Sequence, residues 1–139
     1  MRVGYTDTPL ISGQKWRVHD AERPKPQTVT PTNLPEISPV TPPGDATVLF
    51  DGSEKTAKNW VHAKDERPLE WKLVDGQAME VVKGTGDIKS TQSFGDMQLH
   101  LEFRCPEEIT GDSQQRGNSG VFIMDQYEIQ VLESYDNPS

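Results

Sequence analysis

Between Asp96 and Arg104 the chain alternates with a period of two. Met97, Leu99, Leu101 and Phe103 take one set of positions, and Gln98, His100, Glu102 and Arg104 take the other. Side chains of an extended chain point to opposite faces in turn, so this run reads as a strand with one apolar face and one polar face. The pattern returns near the C-terminus, where Tyr127, Ile129 and Val131 alternate with Glu128 and Gln130. Gly117–Met124 reads as a strand between these two, and Asp125-Gln126 as the turn that joins the last pair. The polar side gathers carboxylates, an amide, an imidazole and a guanidinium, where solvated faces usually carry Lys, Thr and Ser. Two such strands need partners, and the rest of the chain supplies candidates.

Those candidates recur every ten or so residues. Ala46–Phe50 is expected as a first strand, stopped by Asp51-Gly52. Residues 53–58 have room for one helical turn before Trp60. Glu70–Val74 and Gln77–Val82 read as a hairpin about Asp75-Gly76, because both positions of that tight turn favour positive φ. Gly84-Thr85-Gly86 turns the chain into Asp87–Thr91, and a polar loop runs from Glu107 to Arg116. Short strands with turn chemistry between them, and no long helix, specify an all-β sandwich or barrel. No internal repeat of fixed period interrupts this reading.

The first third differs. Of 11 prolines, seven fall between Pro24 and Pro43. Pro9, Pro24, Pro26, Pro31, Pro35, Pro39, Pro42 and Pro43 forbid helix and remove ladder donors, which favours an extended, polyproline-like chain. Residues 1–44 are therefore expected as an arm and 45–139 as the folded part. The arm is either a leader or a wrap that covers a sheet edge or site rim, with Tyr5, Trp16 and Val18 as docking residues and Lys15–Asp20 as a short edge strand. A chain of 139 residues holds one domain at most. Its hydrophobic share of 32% is low, and the proline-rich segment accounts for much of the deficit.

Charge and cysteine content exclude several classes of partner. A formal net charge of −8 argues against nucleic acid or an anionic membrane, both of which require a cationic surface. It is compatible with a neutral sugar. No apolar run approaches the ~18 residues of a membrane span, and no signal-peptide stretch opens the chain. The lone cysteine, Cys105, shares its parity with Leu101 and Phe103 and reads as a small apolar side chain rather than a nucleophile.

Several stretches together resemble one family. In order they are Leu49-Phe50-Asp51-Gly52, Trp60, Trp71 with Asp75-Gly76, Gly86-Asp87-Ile88, and Phe94-Gly95-Asp96 leading into Leu99–Arg104. Gly117-Asn118-Ser119-Gly120-Val121 and Tyr127–Leu132 complete the set. This combination resembles the 3-keto-disaccharide hydrolase domain family over roughly Ala46–Asn137. The arm, with Gly4–Pro9 and Trp16–Asp20, is similar to the leader of planctomycete-type members. The resemblance implies a concanavalin A-like jelly-roll sandwich whose concave sheet carries a carbohydrate site. It also implies glycoside-directed chemistry on sugars oxidised at C3, in secreted or periplasmic proteins. Family domains continue beyond the Tyr-Glu-Ile-Gln strand, so this chain is expected to be the N-terminal part of such a domain. An unpaired sheet edge open to self-association is then expected.

Chemistry on a 3-keto-glycoside starts from the C2 hydrogen, which the neighbouring ketone acidifies. It needs a base at C2, donors for the enolate oxygen, and an acid for the leaving group. Glu102, Glu128 and His100 are the catalytic candidates. Arg104, Asn118, Ser119 and Gln130 are the substrate-binding candidates: Arg104 by its fork of donors, the others by hydroxyl recognition. Glu102 and Glu128 can alternatively form the carboxylate pair of ordinary glycoside hydrolysis. Glu102 with Arg104 can equally be a cross-strand ion network, and Asn118-Ser119-Gly120 a turn that the backbone needs. Glu133 stands one residue out of register with Glu128. Trp60 and Trp71 read as core. A divalent cation on Asp and Glu oxygens fits the composition, but no loop carries a calcium-binding spacing. A lectin-like binding module on the same fold, or an inactive fragment of a longer enzyme, are the alternative readings.

Overall fold

A computed structural model of the chain describes residues 5–30, 40–75 and 77–137. The expectations that rest on Gly4, Pro31, Pro35, Pro39 and Gly76 lie outside those residues. The described chain is strand-dominated, with one four-residue α-helix and a single 3-10 turn at Ser113–Gln115, so the all-β expectation holds. It divides into two compact units, residues 33–102 and residues 1–32 with 103–139.

The first unit opens on the helix α1 (Glu54–Ala57), and the reason is local. The Ser53 hydroxyl accepts from the Thr56 amide and so caps the helix. Asp51 in turn accepts from the Ser53 amide at 3.0 Å, the Ser53 hydroxyl at 2.6 Å and the Thr56 hydroxyl. The Ser53 and Thr56 hydroxyls, then the Ser53 amide, hold the Asp51 carboxyl at about 2, below its ordinary 3.8. A carboxylate whose folded value is depressed stabilises the fold above its unfolded value and loses that contribution as pH falls towards the folded one. Replacing Asp51 with asparagine is therefore expected to flatten the acid limb of the unfolding midpoint between pH 3.8 and about 2. Thermal melts across that window, wild type against variant, measure it.

Four strands follow: β1 (Trp60–His62), β2 (Lys72–Val74), β3 (Ala78–Glu80) and β4 (Ile88–Ser90). β1 pairs antiparallel with β4, matching Val61 to Lys89, and β2 pairs with β3, matching Leu73 to Met79. The second hairpin departs from the sequence expectation in its loop. Val74 faces Ala78, so three residues, 75–77, separate the strands instead of two. Asp75 takes φ +54°, as a tight turn requires, and the Gln77 amide closes the loop on the Val74 carbonyl at 3.2 Å.

Two expected strands are not formed, each for an identifiable reason. Ala46–Phe50 lies outside the ladders, because side chains take the Leu49 carbonyl: Trp60 Nε1 and Asn59 Nδ2 each donate to it at 3.1 Å. β1, which the sequence did not announce as a strand, holds the ladder position next to β4 instead. Asp96–Arg104 forms no strand, and among the described residues no ladder includes it. Alternation prepares a chain for a sheet, but a partner has to complete the ladder. Met97, Leu99, Leu101 and Phe103 are consequently about half exposed or more.

Around these strands polar groups tie the loops together. Arg67 reaches Glu70 at 2.8 Å, Asp65 at 3.2 Å and the Thr85 carbonyl at 3.1 Å. His62 Nδ1 lies 2.7 Å from Asp65, and its other ring nitrogen lies so close to Gly86 that a Cβ there would approach it to 2.8 Å. Gly86 also has φ +79°, so glycine is required on both counts. Trp60, Pro68, Leu69, Trp71 and Leu73 wall an open cleft of about 330 Å³. Both indole nitrogens are used, Trp60 on Leu49 and Trp71 on the Gly86 carbonyl. Among the described residues Ala57 alone is a buried apolar side chain, and the two tryptophans are half-buried in a cleft rather than sealed in a core.

The second unit joins the two ends of the chain. Residues 5–19 fold back on themselves: the Tyr5 amide donates to His19, Val18 to Pro9, and Leu10 bridges Arg17. The expected edge strand is thus a single bridge, held by Arg17 Nη1 on the Thr8 carbonyl. Lys25 reaches Asp136 at 3.3 Å, and Trp16, Arg23 and Lys25 share a cleft with Asn137. Residues 16–26 of the arm therefore meet the C-terminal residues of the same unit.

That unit carries the longest ladder, β5 (Ser119–Ile123) against β6 (Tyr127–Val131). Met124 and Asp125 both take positive φ, and the Gln126 amide donates to Ile123, which closes the expected turn one residue earlier than Asp125-Gln126. Glu133 lies beyond β6 and forms an ion pair with Arg116. The two side chains are only 13% and 15% exposed. Tyr135 adds its carbonyl to Arg116 and takes the other Glu133 oxygen on its amide. Cys105 is half-buried beside Gly117, in keeping with an apolar role.

Candidate active site

The register of the last hairpin decides which side chains share a face. Gly120 faces Gln130, Phe122 faces Glu128, and Ser119 faces Val131. Opposed residues in a ladder project to the same side. One face therefore carries Gly120, Phe122, Glu128 and Gln130, with Asn118 continuing it just before β5. Gln130 Nε2 donates to Asn118 Oδ1 at 2.6 Å and to the Ser119 carbonyl at 3.2 Å. Asn118 Nδ2 is anchored in turn on the Gln114 carbonyl at 2.8 Å. The amides of Asn118 and Gln130 are thus locked to one another, and the Glu128 carboxylate lies against Gly120 beside them.

Three of the seven candidates, Asn118, Glu128 and Gln130, are brought together on this face. Ser119 is not: its side chain belongs to the opposite face with Val131, and only its carbonyl takes part. The alternation rule itself explains this, because neighbours in a strand cannot share a face. Arg104 is exposed in the same unit.

His100 and Glu102 form a separate pair in the other unit. Their side chains meet, with His100 Nε2 3.3 Å from Glu102 Oε1. The Val40 amide also donates to Glu102, at 3.2 Å. That amide, and then His100, hold the Glu102 carboxyl below the usual carboxylate range. Glu102 is therefore kept as an anion, suited to orient the imidazole. Among the described residues no three His, Cys, Asp or Glu side chains gather as a cation-binding set.

Phe122 is the residue that sequence reasoning missed. It is 54% exposed and directly opposite Glu128. Its parity relative to Glu128 depends on the length of the turn. Centring the turn on Asp125 pairs 122 with 128, so the signal lay in the hairpin loop.

The family comparison is decisive. The model of the 3-keto-alpha-glucoside-1,2-lyase-like domain matches residues 45–139, more than half of the chain. The chain belongs to this family. The family resemblance drawn from the sequence is thereby confirmed, and the lyase-like domain includes every candidate site residue. A solved structure of a candidate glycosyl hydrolase from Parabacteroides distasonis ATCC 8503 is 40% identical and superposes with a TM-score of 0.66. That similarity covers 99% of this chain and 54% of the other. The lyase-like chain thus spans about half the length of this relative. No curated protein matches it.

Proposed function

We propose that this chain contributes to a carbohydrate-active enzyme that cleaves 3-keto-glycosides by elimination, on a concanavalin A-like jelly roll in a secreted or periplasmic setting. The observation that carries the reading is the single ladder face of Glu128, Gln130, Asn118 and Phe122, in a chain of the 3-keto-alpha-glucoside-1,2-lyase-like family. Glu128 supplies the base. Gln130 and Asn118, already locked together, present their remaining polar positions to sugar hydroxyls. The exposed Phe122 ring offers an apolar surface to the C–H face of the sugar.

The chemistry balances without an oxidant. The base removes the C2 proton, the C2–H electrons form C1=C2, and the C1–O bond breaks as the leaving group departs and is protonated. Water then adds across the double bond, placing hydroxyl on C1 and hydrogen on C2. In the other unit His100, whose ring nitrogen lies 3.3 Å from Glu102, is an acid–base group by its chemistry. Arg104 is assigned to stabilising developing negative charge.

A p-nitrophenyl 3-keto-glucoside carrying deuterium at C2 tests this reading. Release of p-nitrophenol with a primary isotope effect and loss of C2 deuterium to water is the expected result. Product that keeps its deuterium overturns elimination and supports direct hydrolysis by a carboxylate pair. Saturable binding without release supports the lectin-like alternative. Its physical basis is the same amide pair, which can hold hydroxyls whether or not a base acts beside it.

A further inference from the structure

Gly120 is the second residue of β5, inside the strand, where glycine weakens the ladder and Val or Ile would strengthen it. Its backbone does not explain the choice, because Gly120 is not among the positive-φ residues and any side chain fits that conformation. Space explains it. A Cβ at position 120 would run into Glu128 Oε1 and come within 2.7 Å of Glu128 Cγ and 2.8 Å of Cδ.

We propose that Gly120 is the positioning residue for Glu128: its missing side chain leaves the recess in which the carboxylate lies along the ladder face beside Gln130. Side chains on a strand ordinarily stand perpendicular to the sheet. Glu128 is opposite Phe122, so its carboxylate reaches Gly120 only by leaning along the diagonal of the ladder. At most positions the diagonal neighbour's Cβ blocks that path. Here the path is open, and leaning brings the carboxylate next to the Asn118–Gln130 amides that are assigned to the sugar hydroxyls. The substrate would then meet the base in a fixed place relative to the groups that orient its ring. A side chain at 120 sends the carboxylate upright and away from C2.

The catalytic consequence rests on the reading of Glu128 as the base, and the seat itself does not, so the two are measured separately. The proteins compared are wild type, Gly120→Ala, Glu128→Gln and the double variant. Turnover of the p-nitrophenyl 3-keto-glucoside and the carboxyl ¹³C resonance of Glu128 are recorded, with thermal melts to confirm folding. Gly120→Ala is expected to lower kcat about 10²-fold with KM little changed, as a misplaced reacting group does. It is expected to add nothing in the Glu128→Gln background, because both changes act through one carboxylate. The Glu128 resonance is expected to move. An unmoved resonance, full turnover in Gly120→Ala, or losses that multiply in the double variant each overturn the positioning role. If Glu128→Gln alone retains turnover, the base assignment falls, and the resonance still decides whether Gly120 seats the carboxylate.

Discussion

Glu128→Gln is expected to lower turnover of a 3-keto-glucoside by about 10²–10⁴-fold, the range that a positioned acid or base contributes. Glutamine has nearly the same shape, so the contacts with Gly120 and the Asn118–Gln130 pair are expected to survive. What disappears is the negative charge, and with it the basicity that takes the C2 proton. Binding of the sugar is accordingly expected to stay within a few-fold of wild type. Single-turnover rates and equilibrium binding on the same preparation separate the two effects. A variant that binds as before and turns over as before would remove Glu128 from the chemistry and shift attention to His100 and Glu102.

The largest effect on stability is expected at the other end of the same hairpin. Arg116 and Glu133 are mostly buried, and each oxygen of the carboxylate has a donor, Arg116 on one and the Tyr135 amide on the other. Removing one member of a buried pair leaves the other charge unmatched and typically costs ~3–5 kcal/mol. The residual exposure of both groups places Glu133→Gln near the lower bound, about 3 kcal/mol. For a chain of this size that is a fall of roughly 10 °C in Tm. Adding Arg116→Met to Glu133→Gln is expected to restore part of the loss, because the double change removes both charges. Calorimetry on the two single variants and the double variant reads the coupling directly. A double variant that melts no higher than Glu133→Gln would mean that packing, not charge, holds this corner.

Much of the β architecture was legible because it is local. Alternation and turn residues fixed the β2–β3 hairpin to within a residue at its loop, and β5–β6 to within a residue at its turn. The helical turn at 54–57 falls within residues 53–58, where the sequence left room for it. What escaped was whatever depends on a partner distant in sequence. Ala46–Phe50 and Asp96–Arg104 have strand-like sequences, yet the first has its Leu49 carbonyl taken by Trp60 and Asn59, and the second finds no ladder among the described residues. β1 pairs across 25 intervening residues, beyond the reach of a local pattern.

The site was legible to a similar depth. Glu128 and Gln130 declared their common face by spacing, and Asn118 joins them. Ser119 was placed by proximity in sequence, where parity should have sent it to the opposite face. Phe122 and Gly120 were harder, because their roles appear only once the register is known. The Arg116–Glu133 pair joins residues 17 positions apart, and no periodicity connects them.

The division of the chain also orders its synthesis. Residues 33–102 are contiguous, so that unit can close as soon as its last residue has emerged. The other unit is split: its arm is made before residues 33–102 and its hairpin after them. Lys25 must therefore wait for Asp136, with a whole unit translated in between. The proline-rich composition of the arm suits that interval, since a segment that forms neither helix nor ladder readily is poor at finding wrong partners while its own is still unmade.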